Sequence, residues 1–300
     1  MPGRNTLPIG RRSLLAAGGL FAGSILLGRA GPARGRPSPR VAGLGWASAQ
    51  TLLALGVVPV AVPEIARYGR LVVEPAIPDG VQEAGLRPEP NLELLQELGP
   101  DLIVIDSELE PARRQLERIA PVETFLIFTP AGRPGERALA ATRSLAARLG
   151  MVAEGKAYLA AAEAEMAQAQ AAVALYRGGP VYVISEVFAN RALVFGQRSL
   201  YQDVLDRFGL TNAWTGGTTL WGHSTVPLDA LSAPDARLLF LGSQLRHVEA
   251  VLAARPLWRM LPFFRSGRVT ALSEILFYGG IPSMTRFARL LAEKLPKGEV

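Results

Sequence analysis

Short runs of aliphatic and β-branched residues alternate along the chain with stretches that carry apolar residues at helical spacing. This alternation is typical of α/β folds with mainly parallel sheets. The order strand, helix, strand appears in the first half of the chain and returns in the second. The predicted strands are 41–44, 57–62, 102–105, 122–128, 181–184, 192–195, 238–241 and 269–272, and the predicted helices are 47–55, 91–98, 111–119, 200–208, 248–254 and 283–295.

Between the two halves lies an Ala-rich stretch without proline, residues 152–177. Its bulky residues Val152, Leu159, Met166 and Val173 recur every seven positions, which predicts a helix with one narrow apolar seam. Most of the remaining circumference is Ala, Glu, Gln and Lys, so this helix is not fully buried. The pattern fits an ordinary surface helix, or a long helix that connects two lobes.

The repeated strand and helix order favours the connecting helix. We therefore predict an α/β protein with two Rossmann-like lobes, mainly parallel sheets and a ligand cleft between the lobes. The N-terminal lobe is assigned to 41–150, the connecting helix to 151–178 and the C-terminal lobe to 179–300.

The first thirty residues differ in character from the rest. Arg11 and Arg12 precede an apolar run, and small residues follow around Ala30. This pattern predicts a twin-arginine signal peptide over 1–30 and export of a folded protein to the periplasm. A membrane anchor is less favoured, because Gly and Ala interrupt the run. Residues 31–40, rich in Pro, Gly and Arg, are predicted to be a disordered lead-in.

Charge and cysteine content narrow the class of protein. The formal net charge of +6 falls to +2 for residues 31–300, because four arginines and no acid lie in 1–30. No later block of Lys and Arg with interleaved aromatics suggests nucleic acid as a partner. The chain has no cysteine, which excludes disulfides, thiolate metal sites and a lipid anchor on cysteine. We expect a soluble, monomeric periplasmic protein.

Catalytic and metal-binding motifs are not found in the sequence. His223 and His247 are the only histidines, and they are not at metal-ligand spacing. HExxH, GxSxG and P-loop patterns are absent, as is a GxGxxG between a strand and a helix after residue 30. We therefore expect no enzyme activity, no metal site and no cofactor.

Aromatic residues and one arginine suggest a binding site instead. The aromatics follow predicted strands or lie in Gly-rich loops, where α/β folds place ligand crevices. They are Trp46, Trp214, Trp221, Phe277 and Tyr278. Arg87 offers a forked set of donors suited to anionic or carbonyl oxygens. Packing between the lobes is the other explanation for the aromatics, and an ion pair with Glu83 or Glu89 is the other explanation for Arg87.

An internal similarity places one acid in each half. Residues 91–105 and 227–241 share a short helix, a Pro-Asp step and an apolar strand, which sets Glu93 opposite Asp229. The helix dipole explains either acid singly. As a matched pair they are candidates for a two-point docking surface.

Several long blocks together resemble a known family. They include VAGLGWASAQTLLALGVVPVAVPE at 41–64, a second at 72–102, LVFGQRSLYQDVLDRFGLTNAWTGG at 193–217, WG at 221–222, PLWRMLPFFRSGRV at 256–269 and FYGG at 277–280. These blocks resemble the periplasmic ferric-hydroxamate (ferrichrome-type) siderophore-binding proteins of ABC importers. That family belongs to the helical-backbone, class III substrate-binding proteins, which also serve cobalamin and haem.

The resemblance implies specific roles. The hydroxamate-contacting arginine falls on Arg87, the aromatic pocket falls on the five aromatics named above, and the acids that dock on the permease dimer fall on Glu93 and Asp229. Iron(III) would be held by the siderophore alone. The chain departs from the family at a tyrosine, which appears as Leu109, and at tryptophans near Val72, Ile105 and Leu276. The ligand therefore stays open among hydroxamates, mixed carboxylate-hydroxamates and other iron chelates, with cobalamin, haem or enzymatic action on a siderophore as alternatives.

Overall fold

The computed structural model describes residues 39–188, 190–242 and 256–295, which form two five-stranded sheets covered by helices. The strands are β1 (Val41–Gly43), β2 (Ala61–Val62), β3 (Gln82–Glu83), β4 (Leu102–Ile105), β5 (Val122–Thr124), β6 (Val181–Phe188), β7 (Arg191–Phe195), β8 (His223–Pro227), β9 (Arg237–Leu241) and β10 (Val269–Leu272). The helices are α1 (Trp46–Ala54), α2 (Ile65–Leu71), α3 (Leu92–Leu98), α4 (Arg113–Leu116), α5 (Pro134–Arg148), α6 (Val152–Val173), α7 (Leu200–Phe208), α8 (Pro256–Met260), α9 (Pro262–Arg265) and α10 (Ile281–Lys294). Two 3-10 turns span Ser107–Ala112 and Leu228–Ala230.

The first sheet has the strand order β3-β2-β1-β4-β5, and every pair in it is parallel. Its central strands β1 and β4 are buried along their whole length, as expected for a parallel sheet with helices on both faces. The carboxyl ends of all five strands therefore lie at one edge. This sheet and α1–α5 are called the N-terminal lobe below.

The second sheet has the order β10-β9-β6-β7-β8. Strands β10, β9 and β6 are parallel, whereas β7 and β8 continue from β6 as an antiparallel meander. A β-bulge lies in β6 between Ile184 and Glu186. This sheet and α7–α10 are called the C-terminal lobe below, and the prediction of two α/β lobes with mainly parallel sheets is confirmed.

Helix α6 joins the two lobes. Its buried residues alternate at spacings of four and three: Gly155, Leu159, Ala162, Met166, Ala169 and Val173. Leu159 and Ala162 belong to the core of the N-terminal lobe, and the last three residues belong to the core of the C-terminal lobe. Because one helix completes both cores, its rotation or displacement would disturb both lobes. The helix ends at Val173 rather than at residue 177, and Val152 at its start is 50% exposed.

The lobes also touch each other beside α6. Leu200 and Ile281 of the C-terminal lobe are buried in the core of the N-terminal lobe. Three polar contacts accompany them: Ser283 Oγ donates to Gln50 Oε1 at 3.2 Å, the Gly135 amide donates to Asp203 Oδ2 at 2.6 Å, and Arg286 Nη1 pairs with Glu74 Oε1 at 2.9 Å.

Some predicted elements are wrong in extent. Only Ala61–Val62 of the predicted strand 57–62 pairs with neighbours, and Val58 is 53% exposed. The predicted helix 111–119 is a 3-10 turn followed by the short α4, with Pro111 inside the turn. The predicted strand 122–128 ends at Thr124. Helices α2 and α5, strands β3 and β8 and the short helices α8 and α9 were not predicted.

The predicted signal peptide and the helix 248–254 lie outside the described residues, and the domain boundaries drawn from the sequence stay predictions. No helix in the described ranges combines the length and the apolar character needed to cross a membrane.

Candidate ligand-binding site

A cleft lies where the carboxyl ends of strands from both lobes face each other. It holds a cavity of about 410 Å³, within the size range of small-molecule sites. The residues that line it are Trp46, Leu71, Ser185, Glu186, Val187, Phe188, Phe240, Leu241, Gly242, Glu274, Ile275, Leu276, Phe277 and Tyr278. The wall is mostly apolar and aromatic, with a few polar groups.

Arg87 lies beside this cavity and connects the two lobes. Its guanidinium carbon is 4.0 Å from the centroid of the Trp46 ring and 5.5 Å from that of Tyr278. Nε donates to Glu64 Oε2 at 2.8 Å, and Nη1 donates to the Tyr278 hydroxyl. Burial disfavours the charge of Arg87, but Tyr278 and Glu64 outweigh it and raise the pKa of Arg87. The arginine therefore stays a cation on an aromatic platform.

Trp46 supplies that platform. It begins α1 directly after β1, and it is 1% exposed. Its indole Nε1 donates to the Pro63 carbonyl at 3.0 Å, and its ring meets Tyr68 edge-on at 6.2 Å. These contacts hold the ring in one orientation, so the guanidinium above it is held as well.

Four aromatic rings continue the wall across the lobes. The centroids of Phe277 and Tyr278 are 4.5 Å apart, and those of Tyr278 and Trp221 are 6.3 Å apart. Trp221 in turn packs against Phe128 of the N-terminal lobe at 5.3 Å. Phe277 and Tyr278 line the main cavity, while Trp221 serves the contact between the lobes that the sequence left open as an alternative.

Trp214 lies away from the main cavity. It packs against the C-terminal lobe core, and a side chain at Gly196 or Gly216 would collide with its ring. Its backbone amide donates to Asn212 Oδ1 at 2.9 Å. The structure therefore does not bring Trp214 together with Arg87, and its role in ligand binding stays a prediction.

The ion pair of Arg87 is not the one considered from the sequence. Glu83 instead accepts hydrogen bonds from the amides of Glu64 and Ile65, at 2.6 and 2.8 Å, at the start of α2. The ion-pair partner of Arg87 is Glu64. Glu64 follows β2 at the carboxyl edge of the sheet, and this position in the sequence could have identified it as the partner.

Ser185 and Glu186 were also missed. They interrupt the apolar run of β6 at the bulge, which turns both toward the main cavity. Ser185 Oγ is buried and has no hydrogen-bond partner among the described residues. A polar pair inside an otherwise apolar strand is the signal that could have revealed them.

The positions at which the chain departs from the family pattern fall into two groups. Leu109 and Ile105 are buried in one core of the N-terminal lobe. Val72 and Leu276 are buried together in a cluster shared by both lobes, and Leu276 also lines the cavity. Leu71, the neighbour of Val72, also lines it. The phenol that hydrogen-bonds to Arg87 is that of Tyr278, from the other lobe.

The carboxyl group of Asp106 lies below the aromatic wall, at the first turn of α1. An added Cβ at Gly45 would come within 1.9–2.2 Å of its carboxyl atoms, so glycine leaves room for it there. Burial raises the pKa of Asp106 to about 6, although the Ser48 hydroxyl and the amides of Ala47 and Ser48 act in the opposite direction.

The two candidate docking acids are at the surface of different lobes. Glu93 is exposed in the first turn of α3, where Asn91 Oδ1 accepts from the Leu94 amide at 3.0 Å. Asp229 is exposed in the 3-10 turn Leu228–Ala230. Their role in docking stays a prediction.

The described part of the chain contains no group of three or more His, Asp or Glu side chains placed to hold a metal ion. His223 contacts Phe195 and Phe277, and burial lowers its pKa. His247 is outside the described residues.

Comparisons with known proteins bear on the family and the fold of this chain. The model of the family described as periplasmic binding protein matches residues 41–276. The iron(3+)-hydroxamate-binding protein FhuD of Escherichia coli (strain K12) is 34% identical over 253 residues, which cover 84% of this chain and 85% of that protein. The crystal structure of the siderophore-binding protein FhuD from Vibrio cholerae, bound to Fe3+-Desferal, matches with a TM-score of 0.80 at 28% identity, covering 86% of this chain and 98% of that one.

A more distant match shows the fold alone. The petrobactin-binding protein YclQ from Bacillus subtilis matches with a TM-score of 0.69 at 20% identity, covering 86% of this chain and 92% of that one.

Proposed function

Because the chain belongs to the periplasmic binding protein family, we propose that it captures an iron(III)-siderophore and delivers it to an inner-membrane ABC transporter for iron uptake. A hydroxamate siderophore has the best support, since the relatives at 34% and 28% identity are named for a hydroxamate and for the Desferal complex. Iron would arrive and stay chelated by the siderophore, and the protein would act as a receptor without enzymatic activity.

The observation that carries this proposal is the placement of Arg87. Its Nε and Nη1 are engaged by Glu64 and Tyr278, while Nη2 makes no hydrogen bond within the described residues. Hydroxamate oxygens carry negative charge, and a guanidinium binds such oxygens through short, charge-assisted hydrogen bonds. Trp46 below the guanidinium and the apolar wall beside it would cover the carbon skeleton of the ligand.

The cellular setting is part of the proposal. Residues 1–30 would direct export through the twin-arginine pathway, and a monomeric receptor would carry its ligand to a permease dimer. Glu93 and Asp229, which are exposed on different lobes, would each contact one permease subunit.

The docking proposal predicts a separation of transport from binding. Charge reversal at both sites, Glu93→Arg with Asp229→Arg, should abolish siderophore-dependent iron uptake and leave the Kd of the purified protein unchanged. Glu97→Arg with Asp235→Arg is the matched control, since both are exposed acids of the same lobes. Uptake by the first double variant at the wild-type rate would refute the docking assignment.

The test of the receptor function is a tryptophan-fluorescence titration of the purified protein without residues 1–30. The panel is ferrichrome, an iron(III) complex of a linear trihydroxamate, ferric citrate, haem and cobalamin. Saturable quenching by a hydroxamate complex at micromolar concentration or below is expected. No response to either hydroxamate, with a response to haem or cobalamin, would retain the fold and overturn the function.

A further inference from the structure

A second, much smaller cavity lies behind the aromatic wall and has an unusual lining. Its volume is about 20 Å³, and its lining includes the rings of Phe125, Phe128, Trp221 and Tyr278 together with the acids Asp106 and Glu108. Tyr278 lines the main cavity as well. A ligand bound at Arg87 would therefore be separated from the small cavity by one aromatic ring, that of Tyr278.

The two acids lack a cationic partner. Asp106 Oδ1 is buried without a hydrogen-bond partner, and neither Asp106 nor Glu108 forms an ion pair with any Lys or Arg of the described residues. Arg87, the nearest cation to Tyr278, is paired with Glu64. The Ser48 hydroxyl and the amides of Ala47 and Ser48 stabilise the Asp106 carboxylate, but no described Lys or Arg neutralises either acid, which favours the entry of a cation.

The rings favour the same occupant. The Trp221 ring packs against that of Phe128, at 5.3 Å between centroids, and against that of Tyr278, at 6.3 Å, and all three rings line the small cavity. Aromatic rings attract cations, and ammonium groups are bound in proteins by such rings. A carboxylate beside aromatic rings supplies charge and a hydrogen-bond acceptor together.

The size of the cavity selects among cations. A cavity needs roughly 10–15 Å³ of free volume to hold one water molecule. A volume of about 20 Å³ therefore fits a primary ammonium group, which is about as large as a water molecule, and excludes a trimethylammonium group.

From these observations we propose that the small cavity is a subsite for the protonated primary amine at the end of a hydroxamate siderophore. The proposal rests on the proposed function, since it names the class of siderophore that the receptor prefers. The hydroxamate oxygens would bind at Arg87, and the ammonium group would lie between Asp106 and Glu108 against the Trp221 and Tyr278 rings.

The test compares three iron(III) complexes of one linear trihydroxamate, with its terminal amine free, N-acetylated or trimethylated. Wild-type protein should bind the free amine at least fivefold more tightly than either modified form. Equal Kd values for the free and acetylated forms would overturn the subsite and leave the proposed function standing. Equal Kd values for the free and trimethylated forms would show long-range attraction by acids, which would also overturn the subsite.

Variants locate the effect. Glu108→Gln, at an exposed position, should reduce the preference for the free amine to below twofold without changing the Kd of the acetylated form. Asp106→Asn should act in the same way if it folds, and Glu108→Gln keeps the test valid if it does not. Glu97→Gln, which removes an exposed acid elsewhere on the N-terminal lobe, should retain the full preference. A preference retained in Glu108→Gln would refute the assignment, and failure of all three complexes to bind wild-type protein would refute the proposed function itself.

Discussion

Replacement of Arg87 by alanine should raise the Kd for an iron(III)-hydroxamate complex about 10- to 150-fold. A hydrogen bond to a charged group contributes roughly 1.5–3 kcal/mol, and 1.4 kcal/mol corresponds to a factor of ten in Kd. The upper half of the range is expected, because the change also leaves Glu64 facing the ligand. The Glu64 side chain is only 13% exposed, so its charge is poorly screened once Arg87 is gone.

Further variants separate these contributions. Arg87→Ala combined with Glu64→Gln should recover part of the lost affinity, because the repelling carboxylate is neutral. Arg87→Lys should be intermediate, since one ammonium group cannot donate to Glu64, Tyr278 and a ligand in the planar arrangement of a guanidinium. Arg67→Ala is the matched control: Arg67 also pairs with Glu64, at 3.3 Å, and lies 5.7 Å from Trp46, but its side chain is 51% exposed.

The assay is fluorescence titration of each variant at one fixed salt concentration, with thermal unfolding to verify that each variant is folded. Arg67→Ala should stay within threefold of wild type. A change below threefold in folded Arg87→Ala, or an equal loss in Arg67→Ala, would refute the central role of Arg87.

Two predictions concern stability. Gly45→Ala should lower the free energy of unfolding by about 1–3 kcal/mol, because the added Cβ would overlap the Asp106 carboxyl group. The control is Gly69→Ala in α2, which should not destabilise the protein because no atom lies within 4 Å of its added Cβ. Urea unfolding measures both. Asp203→Asn should change the pH dependence of stability, because burial raises the folded-state pKa of Asp203 from 3.8 to about 6 against the opposing Gly135 amide. Between these values the unfolded chain binds fewer protons than the folded one, so the Asp203 contribution falls as pH rises, by up to about 3 kcal/mol. Unfolding at pH 4.5 and pH 7 should show this loss in wild type and in the control Asp235→Asn, and an unchanged pH dependence in Asp203→Asn would contradict the reasoning.

The sequence was a good guide where one strong pattern decides the structure. Strand 102–105, helix 200–208 and strand 269–272 agree with β4, α7 and β10, because each is a compact apolar pattern with a clear end. The apolar run 57–62 led to a predicted strand that is too long, because apolar content does not show which residues pair with a neighbouring strand. The position of Val58, more than half exposed, depends on where β2 meets its neighbours.

The sequence identified most residues of the site but not the hydrogen bonds and ion pairs that they form with each other. Arg87 and Tyr278 were identified by residue type and by their place in loops, but their hydrogen bond joins residues of different lobes. The competing acids Glu83 and Glu89 are close to Arg87 in the sequence, whereas Glu64, its actual partner, comes from the end of another strand. Such pairings depend on the tertiary arrangement, which local pattern does not encode.

The hydrogen bond between Arg87 and Tyr278 also bears on how a ligand is bound. Beside α6 the lobes are joined by buried apolar side chains, so a wide opening there would expose core residues such as Leu200 and Ile281 to water. At the cleft the connection is the hydrogen bond from Arg87 Nη1 to the Tyr278 hydroxyl, and Nη2 would bind a hydroxamate oxygen while that hydrogen bond stays in place. Binding would then add a bridge through the ligand to the one that already joins the lobes. We therefore expect Tyr278→Phe to weaken binding less than Arg87→Ala, because it removes the bridge between the lobes but leaves the cation.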